Sequence, residues 1–449
     1  MKRLMADKVL DRRYCMMKSH FAFLHLNCPI RSWYYPEHLI LLCTITLSYV
    51  LLFSQPSAAK EHRSEQIVGY FTEWGTGALS KPYTLKNVAS SGAAGILTQL
   101  DYAFGKVVDD HCQIANSEIA LQHRYDAATS VNGSDDPEGP DQLRGTFHQL
   151  KELKQLFPSL KIVISLGGWG GSAGFSSAAE PEHVKEFVRS CVDLFIRGHF
   201  SDAITEQGVF DGIDLDWEYP VDGGLQPGKP QDKENFTALA AEFRRELDAI
   251  RPGLLLTAAL PAEPEYYRNF DLPQISRYLD YISIMAYDLH WNTENVTNFH
   301  SALYHAHNDP SLPPLNQRFG DFAVRGFLAA GVPAAKIILG VPFYGKGWTG
   351  VPHTNHGLYQ SAASPAQNGG SFHDLNALPK DADKRYSKEA GSCTVWYKDV
   401  FWSYDCVQSI RQKAKYVRHK KLGGMMFWEL SQDTQSVELL RTLHNELIR

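Results

Sequence analysis

The chain has 449 residues, 44% of them hydrophobic and 21% charged, with a formal net charge of −6. That ordinary globular mixture excludes wholesale disorder, a collagen-like repeat and a multi-span membrane protein. Seven Lys/Arg stand against three Asp/Glu in residues 1–59, so the remainder is more acidic than the whole and carries no electrostatic footprint for nucleic acid.

Residues 1–59 read as a secretory signal. A basic stretch (Lys2, Arg3, Lys8, Arg12, Arg13, Lys18, Arg31) precedes the apolar run Leu39 to Phe53, and Ser57-Ala58-Ala59 supplies a small-residue cleavage site. The alternative is an uncleaved N-terminal anchor, although the run is short for a spanning helix, which needs about 20 apolar residues. The expected location is therefore secreted or periplasmic, with residues 60–449 as the working unit. Of the seven cysteines, Cys112, Cys191, Cys393 and Cys406 lie beyond the signal. In an exported chain they are free to pair. Cys393 and Cys406 flank one segment and are the expected disulfide, while Cys191 sits on an apolar helix stripe and is expected to be simply buried.

From residue 67 a pattern repeats: a short apolar run, a polar or Gly-rich loop, then an amphipathic helix. The runs are Ile67–Tyr70, Leu100–Phe104, Ile162–Ser165, Gly212–Trp217, Leu254–Ala258, Tyr281–Ala286, Ile337–Val341 and Gly424–Trp428. Apolar runs of this length, separated by helices, read as buried parallel strands. Val184, Phe187, Val188, Cys191 and Phe195 form one helix stripe; Phe236, Leu239, Ala240, Phe243, Leu247 and Ile250 form another, ended by Pro252-Gly253. Eight strand–helix units predict an α/β fold, a (β/α)8 barrel with its active site at the carboxyl ends of the strands. A doubly wound open sheet is the competing architecture. Two connections are long. Asp126 to Gln142 is expected as a surface excursion, and residues 345–405 are long enough for a small α+β insertion between the seventh and eighth strands.

The fourth run continues as Asp211-Gly212-Ile213-Asp214-Leu215-Asp216-Trp217-Glu218. Strand side chains alternate faces, so Asp214, Asp216 and Glu218 share one face and Ile213, Leu215 and Trp217 the other. In a barrel the apolar face meets the helices, and the acids point inward. Three confined carboxyls cannot all ionise, so one keeps a proton near neutral pH, as a general acid must. A divalent cation held by oxygen ligands is the other reading, but no further ligands are identifiable; no metal and no cofactor are expected. Asp211 has the opposite parity to Asp214 and reads as structural.

This segment resembles the Asp-x-x-Asp-x-Asp-x-Glu signature of glycoside hydrolase family 18, the chitinases. Ser165-Leu166-Gly167-Gly168-Trp169, Met285-Ala286-Tyr287-Asp288 and Gly423-Gly424-Met425-Met426-Phe427-Trp428 are similar to its third-, sixth- and eighth-strand motifs. The segment opened by Tyr344-Gly345-Lys346-Gly347-Trp348 resembles the inserted domain of the bacterial-type enzymes. The resemblance implies hydrolysis of chitin or chitooligosaccharides by a retaining, substrate-assisted mechanism. Glu218 would be the acid, Asp216 would orient the acetamido group, Asp214 would tune Asp216, and Tyr287 would donate to the acetamido oxygen. Trp428 would floor the distorted sugar. Tyr70, Trp74, Phe104, Trp169, Tyr344 and Trp348 would be subsite rings, Met285 and Asp288 would contact sugar, and Gly168 would allow close backbone approach. Lys346 stands where relatives often carry Arg, and a point charge is not a planar fork. An endo-β-N-acetylglucosaminidase or a non-catalytic lectin on the same fold are the alternatives. Beyond its carbohydrate the chain is expected to be a monomer, with no nucleic-acid partner and no membrane contact after signal cleavage.

Overall fold

A computed structural model describes residues 65–76, 82–139, 141–367 and 370–448. The expected signal or anchor, residues 1–59, lies outside them. Eight parallel strands run in chain order: β1 (Gln66–Thr72), β2 (Gln99–Val108), β3 (Lys161–Gly167), β4 (Gly212–Asp216), β5 (Leu255–Pro261), β6 (Tyr281–Met285), β7 (Ile337–Pro342) and β8 (Gly424–Trp428). Each pairs with the next, and β8 pairs back onto β1, with Gln66 opposite Gly424 and Gly69 opposite Phe427. The sheet therefore closes into a (β/α)8 barrel; the open-sheet alternative would leave β1 and β8 as edges.

The two faces of each strand have separate neighbours. Ile213, Leu215 and Trp217 join the large core between strands and helices, where Trp217 stacks on Phe175 with ring centroids 5.3 Å apart. Tyr70, Ala103, Met285, Tyr287 and Met426 form a second cluster inside the barrel. Helix Asp232–Ile250 shows why the outer layer holds. Its buried Phe236, Leu239, Ala240, Phe243 and Leu247 recur at helical spacing, and each Phe or Leu among them contributes about 1.5–3 kcal/mol of burial.

Four details differ from the expectation. β4 ends at Asp216, so Glu218 stands just past the strand, its backbone N–H donating to Ser172 Oγ at 3.0 Å. β2 runs four residues further than its apolar run, because its end pairs antiparallel with the strand His111–Ile114. That hairpin brings Cys112 to the end of helix Val184–Cys191, where it is joined to Cys191; Cys191 is buried, but as half of a disulfide. The polar excursion is exposed over most of its length, yet Asp136 is buried, accepting from Tyr125 N–H and Gln149 Nε2.

Between β7 and β8 the chain builds a five-stranded antiparallel sheet, ordered Ser364–Pro365, Gly345–Thr349, Val400–Tyr404, Ser392–Tyr397, Asp383–Ser387, with a short helix Phe372–Asn376. Cys393 and Cys406 are joined at its barrel end. Trp348, expected in the cleft, is instead fully buried in this sheet against Phe401 and Val351, its indole N–H donating to Glu294 O at 3.1 Å. The reason is register: Trp348 pairs with Phe401 and points into the sheet's own small core. No helix among the described residues is long and apolar enough to cross a membrane.

Candidate active site

The inward face of β4 carries two buried acids, Asp214 and Asp216. Asp214 is buried and receives three hydroxyls: Tyr70 at 3.0 Å and Ser165 at 2.8 Å on Oδ2, and Thr257 at 2.7 Å on Oδ1. Burial raises its pKa, and these three donors pull against that rise. Asp216 lies one step toward the strand's carboxyl end and has no such support. Burial and the charges of Glu218, Asp214 and Asp101 push it well above the carboxylate range. Its Oδ1 is buried and has no hydrogen-bond partner among the described residues. Burial, helped by the charges of Asp288 and Glu263 and opposed by a hydrogen bond from Tyr219, pushes Glu218 to about 8. At neutral pH this cluster therefore holds protons as a unit, which is the state general-acid chemistry needs.

Above these acids opens a cavity of about 1000 Å³. Asp216, Glu218, Tyr287, Tyr70, Trp74, Phe104, Trp169, Met285, Asp288, Tyr344, Lys346 and Trp428 all line it. The rings are grouped. Phe104 and Trp428 stack at 5.7 Å and 14°, Tyr70 lies 5.3 Å from Trp428, and Trp74, half exposed, completes one wall. Trp169 and Trp291, with centroids 5.5 Å apart, form the opposite rim. Asp288 accepts from the Tyr344 hydroxyl at 2.7 Å and pairs with Lys346 at 3.3 Å. Burial works against its charge, but the His300 hydrogen bond and the Lys346 ammonium outweigh it and hold the carboxyl below its usual range. Lys346 also sits 4.0 Å over the Trp291 ring, so the point charge serves as a bridge between Asp288 and an aromatic face.

Gly168 does not line the cavity. Its N–H donates to Asp216 O at 2.8 Å, and with φ +76° a Cβ here would lie 2.5 Å from the Phe104 ring. The close approach it permits is to Phe104 rather than to a ligand. Asp211 is structural: its Oδ2 accepts from Ile162 N–H and pairs with Lys154.

Several lining groups escaped the sequence reading. Tyr219 directly follows the acid motif that ends at Glu218, and Trp291 follows Asp288 by three residues, so both had a local signal. Glu73, Glu263 and Arg318 had none; burial pushes Glu73 and Glu263 each to about 7. Asp101, buried on β2 and held by Gln99 Nε2 at 2.7 Å, shares the period-two parity of Tyr70's side of the barrel and adds a fourth carboxyl to the cluster.

Residues 66–433 match the family model described as glycosyl hydrolases family 18. Chitinase A1 of Niallia circulans is 33% identical, over 91% of this chain and 61% of its own length. Chitinase C of Streptomyces lividans is 34% identical, over 83% of this chain and 58% of its own. The present chain thus spans about three fifths of these curated relatives. Among solved structures, the catalytic domain of psychrophilic chitinase B from Arthrobacter TAD20 superposes with a TM-score of 0.78 at 33% identity, covering 86% of this chain and 95% of that one.

Proposed function

The chain belongs to family 18 of the glycosyl hydrolases, and on that premise we propose that it cleaves the β-1,4-N-acetylglucosamine linkages of chitin and chitooligosaccharides. The reaction proceeds with retention, the substrate's own acetamido group acting as nucleophile. Glu218 gives its proton to the glycosidic oxygen while the acetamido carbonyl closes on the anomeric carbon to form an oxazolinium ion. Water then attacks that carbon and returns a proton to Glu218, and the amide re-forms. The observation that carries this reading is the buried Oδ1 of Asp216 beside Glu218, unpartnered among the described residues. It is an acceptor placed for one donor, and the acetamido N–H is such a donor. Leaving it unmade costs about 1–3 kcal/mol, which a bound N-acetyl group recovers. The two aromatic walls suit the apolar faces of a linear sugar chain more than a branched N-glycan. Two disulfides support a working place outside the reducing cytoplasm.

Partly deacetylated chitosan tests the mechanism. New reducing ends should be almost entirely N-acetylglucosamine, the first product should be the β-anomer, and a thiazoline mimic of the intermediate should inhibit. Frequent glucosamine at those ends, or initial α-product by NMR, would overturn the mechanism. Cleavage of a glycoprotein N-glycan in preference to chitin oligomers would overturn the substrate.

A further inference from the structure

Away from the cavity, three side chains converge at the outer edge of the inserted sheet. His353 Nε2 and His356 Nδ1 lie 2.8 and 2.7 Å from the same oxygen, Asp383 Oδ2. All three atoms fall within 4.8 Å of one another. We propose that His353, His356 and Asp383 bind a divalent first-row metal ion, with Zn2+ as the representative ion.

The cluster is assembled by tertiary structure. Asn355 and His356 both take left-handed backbone angles, φ 50° and 58°, which turn the chain so that His356 faces back beside His353. Asp383 opens the edge strand and pairs with Trp396 across the ladder. The His353 ring lies on that same Trp396 at 4.3 Å, and the indole is itself anchored to Val351 O at 2.8 Å. One ring is thus held by stacking, and the carboxylate by Arg385, whose Nε donates to Oδ1 at 2.5 Å. That leaves Oδ2 to face the two imidazoles. Carboxylate ligands are commonly hydrogen-bonded on the outer oxygen in this way.

Two imidazoles and one carboxylate form a borderline-soft donor set suited to Zn2+ and its neighbours rather than to Ca2+ or Mg2+. A tetrahedral ion held at about 2.0–2.2 Å sets its ligand atoms about 3.3–3.5 Å apart. The two N···O separations must open by about half an ångström, which exposed imidazoles can do by rotation. Three protein ligands leave the fourth position to water on the solvent side. The Arg385 charge works against the ion and sets a moderate affinity. None of the three residues lines the catalytic cavity. The ion would clamp the 353–356 turn onto the edge strand, and its effect is on stability rather than on turnover.

The experiment uses the untagged full chain, stripped with chelator and titrated with Zn2+ alone by calorimetry, with Co2+ absorption as a second probe. The expected result is one equivalent bound, a tetrahedral Co2+ spectrum, and a rise in melting temperature of a few degrees at saturating Zn2+. His356→Gln, at the surface, and Asp383→Asn, an isosteric change at a part-buried position, should each weaken binding at least tenfold and abolish the Co2+ band. Absence of stoichiometric binding would overturn the proposal. So would one equivalent bound with undiminished affinity in both variants, because the ion would then sit on other histidines.

Discussion

Glu218→Gln should remove turnover and at the same time stabilise the fold. In the native state burial and the charges of Asp288 and Glu263 lift Glu218 to about 8, against 4.5 for an unperturbed Glu. A carboxyl raised in this way binds its proton more tightly folded than unfolded. Its contribution to stability is complete below about pH 4.5 and is lost as pH rises through about 8. At pH 7, about 2.5 pH units above the unfolded value of 4.5, the part already lost corresponds to about 3 kcal/mol, which water in the open cavity reduces to about 1–3 kcal/mol. Gln carries no charge to desolvate and escapes that cost. The stability difference between variant and wild type should be near zero at pH 4.5, grow through pH 7 and level off above pH 8. Guanidinium unfolding at pH 5, 7 and 9 reads it directly. Turnover of a chitobioside with a poor leaving group should fall about 10²–10⁴-fold in the same protein, and the wild-type alkaline limb should lie near pH 8. A variant that is less stable at every pH, or whose stability gap does not widen with pH, would refute the buried, protonated Glu218.

Tyr70→Phe takes one of three hydroxyl donors from Asp214 while Ser165 and Thr257 stay. A hydrogen bond to a charged group is worth about 1.5–3 kcal/mol, so kcat should drop about tenfold or more with KM little changed; an unaltered kcat would show that Asp214 needs no third donor. The Cys112–Cys191 bridge spans 79 residues and Cys393–Cys406 spans 13. Chain-entropy arithmetic gives about 4.5 and about 3 kcal/mol respectively, so the double Ser variant of the first pair should unfold at lower denaturant than that of the second. The reverse order would count against the loop-entropy account.

Alternation along Asp214, Asp216 and Glu218, against Ile213, Leu215 and Trp217, was enough to place the acids inside and the apolar side chains under the helices. A strand has only two faces, and only one of them can meet an apolar helix layer. The same logic located eight strands to within a few residues. It stopped short wherever the partner of a residue lay far along the chain. Trp348 looked like the other cleft aromatics but belongs to the antiparallel sheet, because its register with Phe401 turns it inward. Cys191 had the parity of a core residue and gained a covalent partner only through the hairpin that carries Cys112. Gly168 stands beside the cleft, yet the ring it makes room for is Phe104. Glu263 and Arg318 reach the cavity from loops with no periodicity to mark them. The protonation of Glu218 is itself a tertiary property. It depends on burial and on charges 45 and 70 residues away in sequence, and a field summed over space has no counterpart in local spacing.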